Sequence, residues 1–131
     1  MTGCASEPSD PSQPGTGARG TPIAAFAAYL LLACAAAWPL SGSPRSLLPG
    51  DPSGDTGVYV WNLWIFGHQL LAHAASPLYT SHILFPGPPI DLALHNYTIF
   101  QNAVGLVLVP WLGLVGAFNV TWLVMQAFSG F

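Results

Sequence analysis

The chain has 131 residues, of which 52% are hydrophobic and 5% are charged, and its mean hydropathy is +0.51. Soluble domains carry about 25% charged residues, so two basic and five acidic side chains cannot cover the surface of a soluble domain of this length. The net charge of −3 comes with no basic cluster, which excludes nucleic acid as a partner. The expected partner for much of the chain is the lipid bilayer.

Residues 1–21 are rich in proline, serine and glycine and predict a disordered cytoplasmic tail. Residues 22–41 carry no charge and are long enough, as a helix, to cross a hydrocarbon core of about 30 Å. They predict the first transmembrane helix, with Trp38 at the membrane interface. A cleaved signal peptide or lipoprotein signal ending near Cys34 is the alternative, although the apolar run continues through Trp38.

Residues 42–95 contain many prolines and glycines and most of the organised polar groups, so they predict an exterior loop. Within it, residues 58–74 predict an amphipathic helix that lies along the membrane surface, because Trp61 and Trp64 suit the interface. The alternative is a third span. The helix carries one mostly polar stripe at spacings of four and three, formed by Asp55, Tyr59, Asn62, Phe66, Gln69 and His73.

No charged residue follows Asp91, and Pro110 and Gly113 interrupt the long apolar run. The pattern predicts a second transmembrane helix over 96–112, a tight turn at 113–116 and the start of a third transmembrane helix over 117–131. The predicted fold class is therefore all-α integral membrane, in a multi-pass protein of the cell membrane. Because the third helix is short, we expect the chain to be the first part of a longer protein, with the remaining spans as its partner.

Three stretches together resemble bacterial multi-span glycosyltransferases of the GT-C type. They are "GDPSGD" (50–55) before a tryptophan-rich segment, "SPLYTSHILFPGPPIDLALHN" (76–96), and a short span that ends in "LGLVGAFN" (112–119). The resembling proteins include family-39-like and lipopolysaccharide-core-transferase-like enzymes. The resemblance covers roughly residues 22–131, and it implies a polyprenyl-phosphate-linked sugar as the donor substrate.

The resemblance also implies a catalytic acidic residue in the first exterior loop, used for acceptor activation or for metal binding. The matching residue is Asp55, with Asp51 as its substitute. Many of these enzymes have a second acidic residue next to the first, whereas Thr56 follows Asp55 here. A carboxylate at the membrane surface suits a general base that takes the proton of an acceptor hydroxyl. Helix capping for Asp55 and a turn for Asp51 are the structural alternatives.

A departing phosphate needs positive charge or hydrogen-bond donors. We expect Arg45 and His95 to serve as substrate-binding residues together with Asp91, which lies four residues before His95 and would share a helical face with it. Asp91 and His95 alternatively pair only with each other. The aspartates and histidines leave a divalent metal open as a cofactor, but no metal-site spacing is present and no metal ligand is assigned.

Two other functions fit the sequence. A transporter or flippase would place polar groups inside its spans, and Asn102 and Asn119 are such groups. A non-catalytic multi-span membrane protein would use the apolar helices for packing alone.

Cysteine labelling tests the predicted orientation. In intact cells, a Ser53→Cys variant should react with a membrane-impermeant maleimide added outside, because the loop faces the exterior. Cys4 is the matched control, since the tail is predicted to be cytoplasmic and should react only after permeabilisation. Labelling of position 53 solely from the cytoplasmic side would contradict the exterior loop.

Overall fold

The computed structural model describes residues 21–51, 54–83, 87–94 and 97–131. Three helices dominate the structure: α1 spans Thr21–Ala36, α2 spans Thr56–Gly67 and α3 spans Ile99–Gly130. The predicted mostly helical fold is therefore confirmed. The predicted disordered tail lies almost wholly outside the described residues, because its residues 1–20 are not among them.

Shorter elements connect the helices. A π-helical segment over His68–Ala72 prolongs α2, and 3-10 turns cover Leu40–Gly42 and Leu92–Leu94. Two strands that the sequence did not predict, β1 over Tyr79–Thr80 and β2 over Ile90–Asp91, form an antiparallel pair. In this pair Tyr79 lies opposite Asp91 and Thr80 lies opposite Ile90.

The long helix α3 folds back on itself at Gly113, which has φ 72° and ψ 173°. A Cβ built on Gly105 would lie 3.6 Å from Thr121 Oγ1, whereas a straight helix would separate these residues by about 24 Å. The element is therefore a hairpin with one arm over 99–112 and a second over 114–130. The break lies inside the segment 113–116 for which the sequence predicts a turn.

Helix α2 packs against the hairpin and forms the core with it. Leu63, Ala117 and Phe118 are buried together, and Leu63 also approaches Gly105 of the first arm. The middle of the polar stripe predicted on α2 faces this interior, because the exposed fraction is 1% for Asn62 and 9% for Gln69, while Asp55 and His73 at its ends are exposed. Helix α2 also buries the apolar side chains of Leu63, Ile65 and Phe66, so both polar and apolar residues of this helix pack into the protein.

Helix α1 packs against the second arm of the hairpin through aromatic rings. The ring centroids of Phe26 and Phe128 are 4.8 Å apart, and Phe26 also meets Phe131 edge to face at 6.2 Å. No residue of α1 is buried. The helix covers 16 residues, or about 24 Å, and ends before the limit of 41 that the sequence predicts for the first span.

Two side chains tie the loop after α1 to the hairpin. Asn119, which is fully buried, donates Nδ2 hydrogen bonds to Pro44 O at 2.7 Å and Leu47 O at 2.6 Å. Arg45 Nη2 donates to Trp111 O at 3.1 Å, at the carboxyl end of the first arm. A cation there also complements the partial negative charge of a helix C-terminus. The two contacts fix residues 44–47 beside the reversal at Gly113.

Among the described residues, buried amides and hydroxyls accompany an apolar core, and large apolar side chains also lie on the surface. One apolar segment, Ile99–Gly130, has the length and composition of a membrane-crossing helix, although the break at Gly113 divides it into two arms. The most exposed large apolar side chains, each above 60%, are Ile23, Leu31, Leu32, Trp38, Leu71, Leu94, Phe100, Val107 and Trp111.

Replacement of Gly113 by alanine tests the hairpin. Nothing lies within 4 Å of a Cβ at this position, so the cost comes from the backbone conformation alone, which residues other than glycine rarely adopt. We expect Gly113→Ala to lower the free energy of unfolding in detergent by about 1–3 kcal/mol.

Gly57→Ala is the matched control for this variant, because a Cβ at Gly57 also meets nothing within 4 Å and the residue lies in α2. We expect this control to be neutral or to stabilise the protein by up to about 1 kcal/mol. Equal stability of the two variants in a denaturant titration would contradict the strained reversal.

The two hydrogen bonds from Asn119 Nδ2 to Pro44 O and Leu47 O form an amide clamp, which is tested by Asn119→Ala. This change removes two hydrogen bonds and leaves a void, so we expect a loss of about 2–3 kcal/mol in the free energy of unfolding. Thr121→Val is the matched control on the same arm, because the Thr121 hydroxyl bonds only to Ala117 O of its own helix. That change should cost about 0.5 kcal/mol or less, and a loss as large as that of Asn119→Ala would contradict the clamp.

Candidate functional site

The loop that enters α2 carries both predicted catalytic aspartates. Asp51 O accepts a hydrogen bond from Gly54 N at 2.9 Å, which forms a turn. Thr56 Oγ1 donates to Pro49 O at 2.7 Å and closes the loop at its base. Both aspartates are exposed, so their carboxylates lie at the surface of the protein.

Asp55 occupies the residue before α2, where the sequence left a helix cap open as its role. Its carbonyl oxygen accepts hydrogen bonds from Val58 N at 2.9 Å and Tyr59 N at 3.3 Å. Its side chain makes no capping hydrogen bond. The backbone of Asp55 therefore starts the helix, and within the described part of the chain its carboxylate is not used for capping.

A cleft lies beside this loop, between α2 and both arms of the hairpin. Its volume is about 630 Å³, large enough for part of a lipid chain or a sugar. Amide and hydroxyl groups line it together with aromatic rings, which suits an amphipathic ligand. The lining residues are Pro49, Gly50, Thr56, Tyr59, Thr98, Gln101, Phe118, Trp122, Met125 and Gln126.

Asp51 borders a second, smaller cleft of about 340 Å³. Gly54, Thr56 and Gly57 line it as well, and the two clefts share Pro49, Gly50 and Thr56. The absence of a side chain at Gly54 and Gly57 leaves room for a ligand to approach the backbone.

The three predicted substrate-binding residues have separate local roles where they are described. Arg45 binds the Trp111 carbonyl. Asp91 Oδ1 accepts a hydrogen bond from Ala93 N at 2.8 Å and so starts the 3-10 turn after β2. His95, together with its predicted pairing to Asp91, lies outside the described residues.

Histidines that the sequence analysis did not assign to a site come together around Trp64. The ring of His68 stacks on Trp64 with centroids 4.8 Å apart and planes at 13°. His82 meets the edges of both rings, at 5.8 Å from Trp64 and 5.4 Å from His68. The Nε2 atoms of His68 and His73 form a hydrogen bond at 3.0 Å, in which one ring donates and the other accepts. Trp64 lies in α2 and His68 in the π-helical segment, while His73 follows that segment and His82 follows β1.

The sequence gives no signal for this cluster, because His68 and His73 are five residues apart and would not lie on the same face of an α-helix. Across residues 21–51, 54–83, 87–94 and 97–131, no group of three or more His, Cys, Asp or Glu side chains has a geometry that could hold a metal ion. Cys34 is a free thiol.

Comparison of the chain with known proteins assigns it to no family. No protein-family model matches the sequence, and neither a curated protein nor a solved structure matches it.

Proposed function

We propose that this chain belongs to a multi-pass membrane glycosyltransferase that uses a polyprenyl-phosphate-linked sugar, with Asp55 as the catalytic base. The membrane part of the proposal is supported by the large apolar side chains on the surface of the fold. Lipid is the one solvent in which outward leucines, phenylalanines and tryptophans cost nothing. The buried side-chain nitrogen of Asn119 finds two carbonyl partners inside the protein.

The catalytic part of the proposal is supported by one observation above the others. Asp55 is exposed, makes no capping bond, and belongs to a loop that borders two clefts. A carboxylate not used for structure is available to a substrate. Its loop also carries the exposed Asp51, which is the substitute base.

In the proposed reaction, Asp55 accepts the proton of the acceptor hydroxyl as the oxygen attacks the anomeric carbon of the sugar. The new bond joins that oxygen to the anomeric carbon, and the bond between the anomeric carbon and the phosphate oxygen breaks. The lipid phosphate leaves with the electron pair. Arg45 has five N–H donors, of which one binds Trp111 O, so its exposed guanidinium retains donors for a phosphate.

The second candidate function is a transporter or flippase, and a different observation favours it. Asn119 Oδ1 is buried and has no hydrogen-bond partner within the described residues. An unsatisfied polar atom inside apolar helices is typical of a path for a polar substrate. A transporter would not need the carboxylate of Asp55.

Asp55→Asn tests the proposed reaction, because it keeps the shape of the side chain and removes the base. The assay uses membranes that contain the full-length protein and a radiolabelled polyprenyl-phosphate hexose, and it measures the label transferred to membrane acceptors. We expect the rate to fall by about 100-fold or more.

Asp10→Asn is the matched control, because it makes the same change in the tail that the sequence predicts to be cytoplasmic. This control should transfer within about threefold of wild type. A wild-type rate in Asp55→Asn, or no transfer above that of membranes without the protein, would overturn the glycosyltransferase. Movement of intact labelled donor across the bilayer, unchanged by Asp55→Asn, would assign the transporter instead.

A further inference from the structure

We propose that His68 and His73 form a binding site for a divalent transition-metal ion, with both Nε2 atoms as ligands and Cu²⁺ as the preferred ion. Neutral imidazole suits copper, nickel and zinc. The remaining coordination positions are open to water or to another ligand.

The helix geometry brings the two histidines together. In an α-helix, residues five apart point about 140° away from each other. The segment His68–Ala72 is instead a π-helix, whose repeat joins residues five apart, and His73 follows it directly. The π-helix is therefore the reason that the two rings meet.

The backbone after the π-helix is held in an unfavourable conformation. Ala74 has φ +48°, a region that costs a residue other than glycine about 1–2 kcal/mol. Ala75 N donates to Gln69 O at 2.9 Å and closes the helix end over His73. Local strain and π-helical turns both concentrate at functional sites. The end of this π-helix therefore has features of a ligand site in addition to its two imidazoles.

The distance between the two nitrogens fits neighbouring positions on one ion. With metal–nitrogen bonds of about 2.05 Å, the separation of 3.0 Å between the Nε2 atoms corresponds to an angle of about 94° at the metal. This angle is close to the 90° of square-planar or octahedral sites, which Cu²⁺ and Ni²⁺ favour, and is below the tetrahedral angle that zinc favours.

The positions of the rings agree with this geometry. Two imidazoles directed at one shared ion would have centroids about 4.7 Å apart, and rings pointing straight at each other would be about 5.3 Å apart. The centroids of His68 and His73 are 4.6 Å apart. The observed centroid separation therefore fits two imidazoles on one shared ion better than two rings that point straight at each other.

Neighbouring side chains hold His68 in place for binding. Its ring is stacked on Trp64 at 4.8 Å, and His82 covers its edge at 5.4 Å. His82 Nδ1 is hydrogen-bonded to the buried Thr80 hydroxyl at 3.0 Å, which fixes that ring as a wall of the site. A ligand that is already oriented loses less entropy on binding.

The test uses Cu²⁺ alone and the full-length protein in detergent, with Cys4 and Cys34 replaced by serine so that no thiol reduces the ion. Electron paramagnetic resonance should show one tightly bound Cu²⁺ with hyperfine structure from two nitrogens. Either His68→Asn or His73→Asn should weaken the affinity by about tenfold or more and remove the two-nitrogen pattern. His73 is exposed, so its replacement leaves the core packing untouched.

His82→Asn is the matched control, because it removes an imidazole from the same cluster without removing a proposed ligand. It should keep the two-nitrogen spectrum and an affinity within about threefold of wild type. An unchanged spectrum in His73→Asn, or an equal loss in all three variants, would overturn the site. Copper binding needs neither the sugar donor nor the sugar acceptor of the proposed reaction. A failure to bind copper is therefore separate from any failure of the proposed transferase.

Discussion

The reversal of the chain at Gly113 is the constraint on which the other contacts depend. Its backbone angles of φ 72° and ψ 173° turn one apolar helix into two antiparallel arms. The groove between the arms receives Leu63 of α2, and the second arm presents Asn119 to the loop at 44–47. A straight α3 would have no groove, no core with α2 and no amide clamp.

The apolar side chains on the surface link this architecture to the proposed membrane setting. Without water, the interior cannot be organised by expelling apolar groups, since lipid is equally apolar. Directional hydrogen bonds and close approach at small residues then hold the helices together. The Asn119 clamp and the contact of Leu63 with Gly105 are of this kind, and the aromatic contacts between α1 and the second arm add area.

Sequence alone predicted the parts of the fold that depend on local composition. The helical character follows from long apolar runs, and the position of the break follows from Gly113, because glycine near proline interrupts a helix. Local patterns also located the polar stripe of α2, but its inward direction depends on packing against a hairpin 40 residues away in the chain. The pairing of β1 with β2 depends in the same way on contacts across an irregular loop.

The candidate sites likewise combine features that the local sequence predicts with features that only the three-dimensional structure shows. Asp51 and Asp55 stand out in the sequence because acidic residues are rare in this chain, whereas the structure was needed to show that, among the described residues, the Asp55 carboxylate makes no capping bond. The meeting of His68 with His73 could not be predicted, because a π-helix has no sequence pattern that distinguishes it from an α-helix. Arg45 was predicted as a donor to phosphate, and its bond to Trp111 O became visible only in three dimensions.

The lengths of the hairpin arms have a consequence for the surrounding membrane. At 1.5 Å per residue, arms over 99–112 and 114–130 rise about 21 and 26 Å, and a typical hydrocarbon core is about 30 Å thick. In the proposed multi-pass arrangement, a bilayer that meets this hydrophobic mismatch would thin around the protein, or the protein would sort to a thinner membrane. Thinned lipid would bring headgroups closer to the ends of the helices, so that the proposed bilayer-anchored donor would need less displacement to reach the loop.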